Sequence, residues 1–110
     1  PIETYSENVV IKYVNTSADG AVDLQDIYEI AKTYNLNDIL IECGNTLSKY
    51  LIQENAIDEF MLFVAPKIIG DKGYTFSGIE PVQKLKDKIS LRISEIMPIK
   101  DDLYINLRKQ

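Results

Sequence analysis

Asp38-Ile39-Leu40-Ile41-Glu42-Cys43-Gly44-Asn45-Thr46-Leu47-Ser48-Lys49-Tyr50-Leu51 is the stretch on which the reading of this chain turns. It reads as a short buried strand, a carboxylate, a small-residue turn and the polar first turn of an amphipathic helix. The first amide N–H groups of a helix have no partner within it and carry the positive end of its dipole. A strand that feeds such an end through a glycine therefore offers an anion site, and phosphate is the guest it fits. Many strand-to-helix turns contain a glycine and serve only as connections, so the stretch needs support from the rest of the chain.

Outward from it, the grammar on both sides is strand, helix, strand. Residues 8–14, Asn-Val-Val-Ile-Lys-Tyr-Val, are β-branched and almost continuously apolar, which predicts a strand covered on both faces. Residues 15–20 break it. In 22–34, Leu24, Ile27, Ala31 and Tyr34 share one face at helical spacing, with Asp23 as the expected N-cap and Asp26 in the place of a capping-box acid. Residues 35–37 end that helix. Residues 39–41 make a second, very short buried strand, and Asn45 or Thr46 caps a second helix whose Leu47, Tyr50 and Leu51 point inward. Residues 59–65 are apolar from Phe60 onward and predict a third central strand, closed by Pro66. Strand alternating with helix predicts parallel pairing through right-handed crossovers.

Beyond Lys67 the pattern changes. Residues 70–78 hold three glycines, Gly70, Gly73 and Gly78, and predict a mobile loop with turns. Ile89-Ser90-Leu91-Arg92-Ile93 and Leu103-Tyr104-Ile105-Asn106-Leu107-Arg108 alternate apolar with polar residues, which predicts an antiparallel hairpin with one wet face, separated by 98–102. The expected fold class is α/β, a mostly parallel sheet with an antiparallel C-terminal hairpin, in a single domain spanning 1–110.

Composition narrows the function. A chain of 110 residues forms one core and buries roughly two thirds of its unfolded surface. Hydrophobic residues at 45% and charged residues at 26% are globular values. The net charge of −5, with no basic patch interleaved with aromatics, disfavours a nucleic-acid surface. No apolar run has the length of a membrane span, and a cytoplasmic location is expected. One cysteine permits no internal disulfide, and the lack of histidine removes Cys/His zinc clusters, the commonest general base and every Ser-His or Cys-His pair. If the chain is an enzyme, its chemistry is expected to come from a cofactor or from elsewhere. The first residue is proline, read as a sign of a fragment or a processed product.

Five pieces in succession carry a resemblance: Val22-Asp23-Leu24, the run Ile39-Leu40-Ile41-Glu42-Cys43-Gly44-Asn45-Thr46-Leu47, then Ala56-Ile57-Asp58-Glu59, Ala65-Pro66-Lys67-Ile68-Ile69-Gly70 and Asp102-Leu103-Tyr104-Ile105-Asn106-Leu107. In order and spacing the chain resembles the reductase domain of the RibD family of riboflavin-biosynthesis deaminase-reductases, which has the dihydrofolate-reductase-like three-layer fold. The match runs over almost all 110 residues and corresponds to the C-terminal part of that domain, so the N-terminal half is expected to be absent here. The resemblance implies reduction by NADPH of the ribosyl side chain of 5-amino-6-(5-phosphoribosylamino)uracil to the ribityl product, in a homodimer. It places Glu42 against the substrate and Gly44, Asn45, Thr46, Leu47, Ser48, Lys49 and Tyr50 against the cofactor. The zinc motifs of the family's deaminase half, H-x-E and P-C-x-x-C, do not occur, and no metal site is expected.

Residue chemistry agrees with that division, because a carboxylate suits hydroxyl groups while helix amides take phosphate. Hydride transfer belongs to the cofactor and the protein positions the reactants. Each position also has a plainer reading. Glu42 reads equally as a solvated strand-end acid, 44–48 as ordinary capping, Lys49 and Lys72 as solvated cations, and Tyr50 as core. The family has two glycines after the glutamate where this chain has Cys43-Gly44, and Cys43 is expected to be a small buried hydrophobe. Two other functions stay open: a non-catalytic nucleotide-binding or oligomerisation fragment, and a reductase of another pterin or pyrimidine on the same fold.

Overall fold

The computed structural model describes residues 2–16, 18 and 20–110, the first four of these by backbone alone. The backbone forms two compact units, Pro1–Glu42 and Cys43–Gln110.

The first unit opens with a hairpin. Strand β1 (Ile2–Ser6) pairs antiparallel with β2 (Val9–Lys12), with a bulge between Thr4 and Ser6. The expected strand at 8–14 is thus shorter and lies in a two-stranded ribbon, where Val9 and Val10 stay exposed instead of being covered on both faces. Of the expected break at 15–20, Ser17 and Asp19 lie outside the described residues. A single antiparallel bridge joins Thr16 to Val22.

Helix α1 (Leu24–Thr33) starts where the sequence indicates. The Asp23 carboxylate accepts from the Gln25 amide at 2.7 Å. Asp26 does not close a capping box. Its Oδ2 accepts from the backbone N–H and side-chain amide of Asn15, at 2.7 and 3.0 Å, and so ties the preceding segment to the helix. At the other end Asn35 takes φ 53, Asn35 N–H donates to Lys32 O, and Leu36 N–H donates to Ala31 O, which is the Schellman arrangement. Lys12 Nζ lies 4.4 Å from the centre of the Tyr34 ring, a cation–π contact between β2 and the end of α1.

In the second unit, helix α2 (Asn45–Gln53) ends in the same way, with Asn55 at φ 56 and Ala56 N–H donating to Leu51 O at 2.9 Å. Three strands follow, β3 (Glu59–Val64), β4 (Leu91–Ile99) and β5 (Asp102–Lys109), in the order β3-β5-β4. Both pairings are antiparallel. The expectation of a mostly parallel sheet is therefore corrected: among the described residues every paired strand is antiparallel. Two causes are visible. Residues 39–41 form no strand and are exposed, Leu40 at 72%, so the anticipated strand–helix–strand unit lacks its middle member. Strand β3 pairs with β5, far along the chain, and an apolar run does not encode the direction of its neighbour.

The C-terminal hairpin forms as expected and is longer. Strand β4 runs through Pro98, and the reversal narrows to Lys100 and Asp101, with Lys100 at φ 55. Proline is compatible with β4 because this strand lies at the edge of the sheet.

One sheet face carries Phe60, Leu62, Ile105, Leu107 and Lys109, set by the period of two. Lys109 Nζ donates to Asn55 O at 2.7 Å, which places the C-terminal end of α2 beside this face and sets a cation at the negative end of its dipole. Among the described residues the one buried hydrophobic side chain is Leu51 on α2, at 2% exposure. The opposite face carries Glu59, Tyr104, Asn106 and Arg108. Beside them Ser94 is the extra residue of a bulge between Ile93 and Glu95.

Candidate functional site

The two helices differ at their amino ends. Helix α1 supplies its own anions there, Asp23 as the cap and Asp26 in the first turn. Helix α2 supplies none. Its N-cap is Gly44, not Asn45 or Thr46 as the sequence suggested. No side chain caps that end, and its first turn has no acidic residue. Gly44 is extended, with φ −79 and ψ −179, and a Cβ built on it would meet nothing within 4 Å. Ser48 N–H closes the first turn on Gly44 O at 3.0 Å, and the amides of Asn45, Thr46 and Leu47 precede any intrahelical acceptor. The result is an uncapped positive dipole end with open space at its glycine, the arrangement that accepts a phosphate.

The remaining residues of the stretch fall into distinct environments. Lys49 Nζ pairs with Glu80 Oε1 at 3.1 Å. Leu47 and Tyr50 are half-buried, and Ser48 is buried at 5% exposure on the inner side of the helix beside Leu51. Thr46 Oγ1 donates to Asn45 Oδ1 at 3.5 Å, a long contact that leaves the backbone amides untouched. Cys43 is exposed, which corrects the expected buried thiol: the backbone at 43 is not part of a strand and has no core to enter. Glu42 is the last residue of the first unit and is exposed. Among the described residues, no three His, Cys, Asp or Glu side chains come together as a metal ion would require. No helix among them is long and apolar enough to cross a membrane.

The structure adds residues that the sequence did not single out. The glycine-rich loop does not stand away from α2: Gly78 abuts the backbone of Asn45, Glu80 holds Lys49, and Phe76 meets Phe60 edge to face at 6.3 Å. The sequence signal was the third glycine of 70–78, but nothing in its spacing named a partner.

A profile of the RibD C-terminal domain family matches residues 2–104. The chain belongs to the RibD C-terminal domain family. Its curated relatives include the riboflavin biosynthesis protein RibD of Buchnera aphidicola subsp. Baizongia pistaciae (strain Bp), 33% identical over 88 residues, 80% of this chain and 24% of the relative. RibD of Escherichia coli (strain K12) is 27% identical over the same length, covering 80% of this chain and 24% of the relative. A 5-amino-6-(5-phosphoribosylamino)uracil reductase of Buchnera aphidicola subsp. Acyrthosiphon pisum (strain APS) is 31% identical over 72 residues, 66% of this chain and 35% of the relative. The chain thus spans about a quarter to a third of the curated relatives named here. Among solved structures, Acinetobacter baumannii RibD superposes with a TM-score of 0.73 at 24% identity, over 83% of this chain and 27% of that one. That likeness places the strands and helices of this RibD C-terminal domain in a known α/β fold.

Proposed function

We propose that this chain is the C-terminal part of a RibD-type reductase domain and supplies the dinucleotide-binding end of its active site. The proposed reaction is the NADPH-dependent reduction of the ribosyl group of 5-amino-6-(5-phosphoribosylamino)uracil to its ribityl product. The observation that carries it is the amino end of α2: capped by a glycine, with no acidic residue in its first turn and open where a side chain would stand. A relative 31% identical bears the name of that reductase.

The dinucleotide supplies the hydride, and the residues of this chain bind and orient. The amides that follow Gly44, on Asn45, Thr46 and Leu47, receive the phosphates, with Ser48 and Tyr50 shaping the helix beneath them. Lys49 lies one turn along, its cation shared with Glu80 at 3.1 Å. Glu42 takes hydroxyls of the substrate, since its charge would repel a diphosphate. The proposal includes the single-domain, three-layer arrangement of the dihydrofolate-reductase-like fold, a cytoplasmic location and a homodimer.

Calorimetric titration of the chain with NADPH tests the binding half of the proposal, and saturable heat is the expected result. Complementation of a riboflavin auxotroph tests the reaction. Growth that is lost when Gly44 is replaced by Asp supports it, because a carboxylate would then sit on the phosphate position. Unimpaired growth with Gly44→Asp overturns the assignment of α2.

A second reading, a non-catalytic oligomerisation module, is favoured by the apolar side chains exposed on the sheet, among them Met61, Phe63, Ile93 and Ile96. Self-association by sedimentation without NADPH binding would support that reading in place of the first.

A further inference from the structure

The loop after β3 braces the amino-terminal half of α2. Gly78 takes φ 58, and a Cβ on it would lie 2.5 Å from the carbonyl oxygen of Asn45 and 3.2 Å from its carbonyl carbon. Both atoms are backbone, so no side-chain rotation relieves the clash. On one side of the contact, Gly78 N–H donates to Thr75 Oγ1 at 3.1 Å and fixes the turn. On the other, Glu80 holds Lys49 at 3.1 Å. The loop therefore meets α2 at its first residue and again one helical turn along.

The other loop glycines behave differently. Gly70 shares the left-handed backbone, φ 86, yet a Cβ there meets nothing within 4 Å. At Gly73 the nearest atom is the end of the Ile69 side chain, at 3.3 Å. Of the three, only Gly78 is set against the backbone of the proposed phosphate-binding turn.

We propose that Gly78 is a positioning residue for the dinucleotide site. Its missing side chain lets the 75–80 turn seat against the Asn45 carbonyl, which belongs to the same rigid peptide plane as the N–H of Thr46. Any Cβ at 78 pushes that carbonyl aside and turns the Thr46 N–H with it, and misplacement of a binding group by about 1 Å is enough to lower function by orders of magnitude. The inference rests on the assignment of the α2 amino end to phosphate.

The test compares Gly78→Ala with Gly70→Ala in the full chain, since both introduce a Cβ at positive φ and only the first also meets Asn45. NADPH affinity by calorimetry and the amide shifts of 45–48 by two-dimensional NMR are the readouts. Gly78→Ala is expected to weaken NADPH binding by about tenfold or more and to move the Thr46 amide resonance, while Gly70→Ala leaves both as in the parent. Equal binding by the two variants, or an unmoved Thr46 amide in Gly78→Ala, overturns the proposal. Should Gly78→Ala fail to fold, Thr75→Ala removes the acceptor that fixes the turn. It is then expected to weaken NADPH binding and shift the Thr46 amide, and parental values for both overturn the proposal. A parent chain that binds no NADPH refutes the proposed function and with it the role of Gly78 in that site, whereas NADPH binding by the parent with an unmoved Thr46 amide in Gly78→Ala refutes the role of Gly78 alone.

Discussion

The hydroxyl of Ser94 donates to the side-chain oxygen of Asn106 at 2.8 Å, from the one residue of β4 that has no partner of its own on β5. Asn106 is only 7% exposed, and its amide nitrogen donates to Glu59 Oε2 at 3.0 Å and to the Tyr104 hydroxyl at 3.3 Å. Glu59 in turn pairs with Arg108 Nη2 at 2.6 Å. One buried amide thus satisfies groups from all three strands and holds the bulge that sets the β4–β5 register.

Asn106→Ala is therefore expected to destabilise the chain by about 1–3 kcal/mol, because Glu59, Ser94 and Tyr104 lose the same side-chain amide at once, leaving Glu59 only its pair with Arg108 and Ser94 only the backbone carbonyl at 106. Ser94→Ala removes one hydroxyl, which donates to the side-chain oxygen of Asn106 at 2.8 Å and to its backbone carbonyl at 3.2 Å, and is expected to cost about 0.5–1.5 kcal/mol. Urea unfolding of both variants and of the double variant checks this. The double variant should fall short of the sum, since the two residues share one interaction.

Leu51 on α2 is buried, at 2% exposure. Leu51→Ala should cost about 2–5 kcal/mol through lost transfer energy and the cavity left behind. The readout is the urea midpoint, with the slope unchanged if the unfolded state is unaffected.

Asn55 occupies the left-handed position after α2, at φ 56. Replacement by Val is expected to destabilise by about 1–2 kcal/mol, because a β-branched side chain meets the following carbonyl there. Replacement by Gly should leave stability unchanged or raise it. Thermal melts of the two variants distinguish them.

The Glu29 carboxyl is held below its ordinary value by a hydrogen bond and the charge of Lys32, whose Nζ lies 2.8 Å from Oε1. A depressed folded value means that the pairing stabilises α1 above the unfolded carboxylate range and is lost as pH falls through the lowered value. NMR titration of Glu29 should give a midpoint below the ordinary glutamate value. Lys32→Gln should return it toward that value. The same midpoint in both proteins would show that Lys32 is not the cause.

How much was legible in the sequence follows from the reach of each signal. Asp23 as the cap of α1, the apolar face of α2 and the C-terminal hairpin depend on residues a few places apart, and these were readable. Residues 39–41 read as a strand yet form none, because three β-branched or apolar residues look alike whether paired or exposed, and their pairing depends on what lies beside them. The parallel sheet was misread for the same reason: direction belongs to a pair, and β3 found its partner in β5. Pro98 reads as a boundary in the sequence but lies within β4, because an edge strand has no neighbour on one side to miss its N–H.

The sequence by itself determined the local chemistry: a glycine before a helix whose first turn carries no acid, two asparagines that end helices, and a run of motifs that assigns the family. Only the tertiary structure decided that the strands run antiparallel, that Asn106 joins three of them and that Gly78 seats against Asn45. The physical reason is distance along the chain. Capping and periodicity act within a turn or a strand, whereas a contact between residues 33 positions apart exists only once the backbone has brought them together.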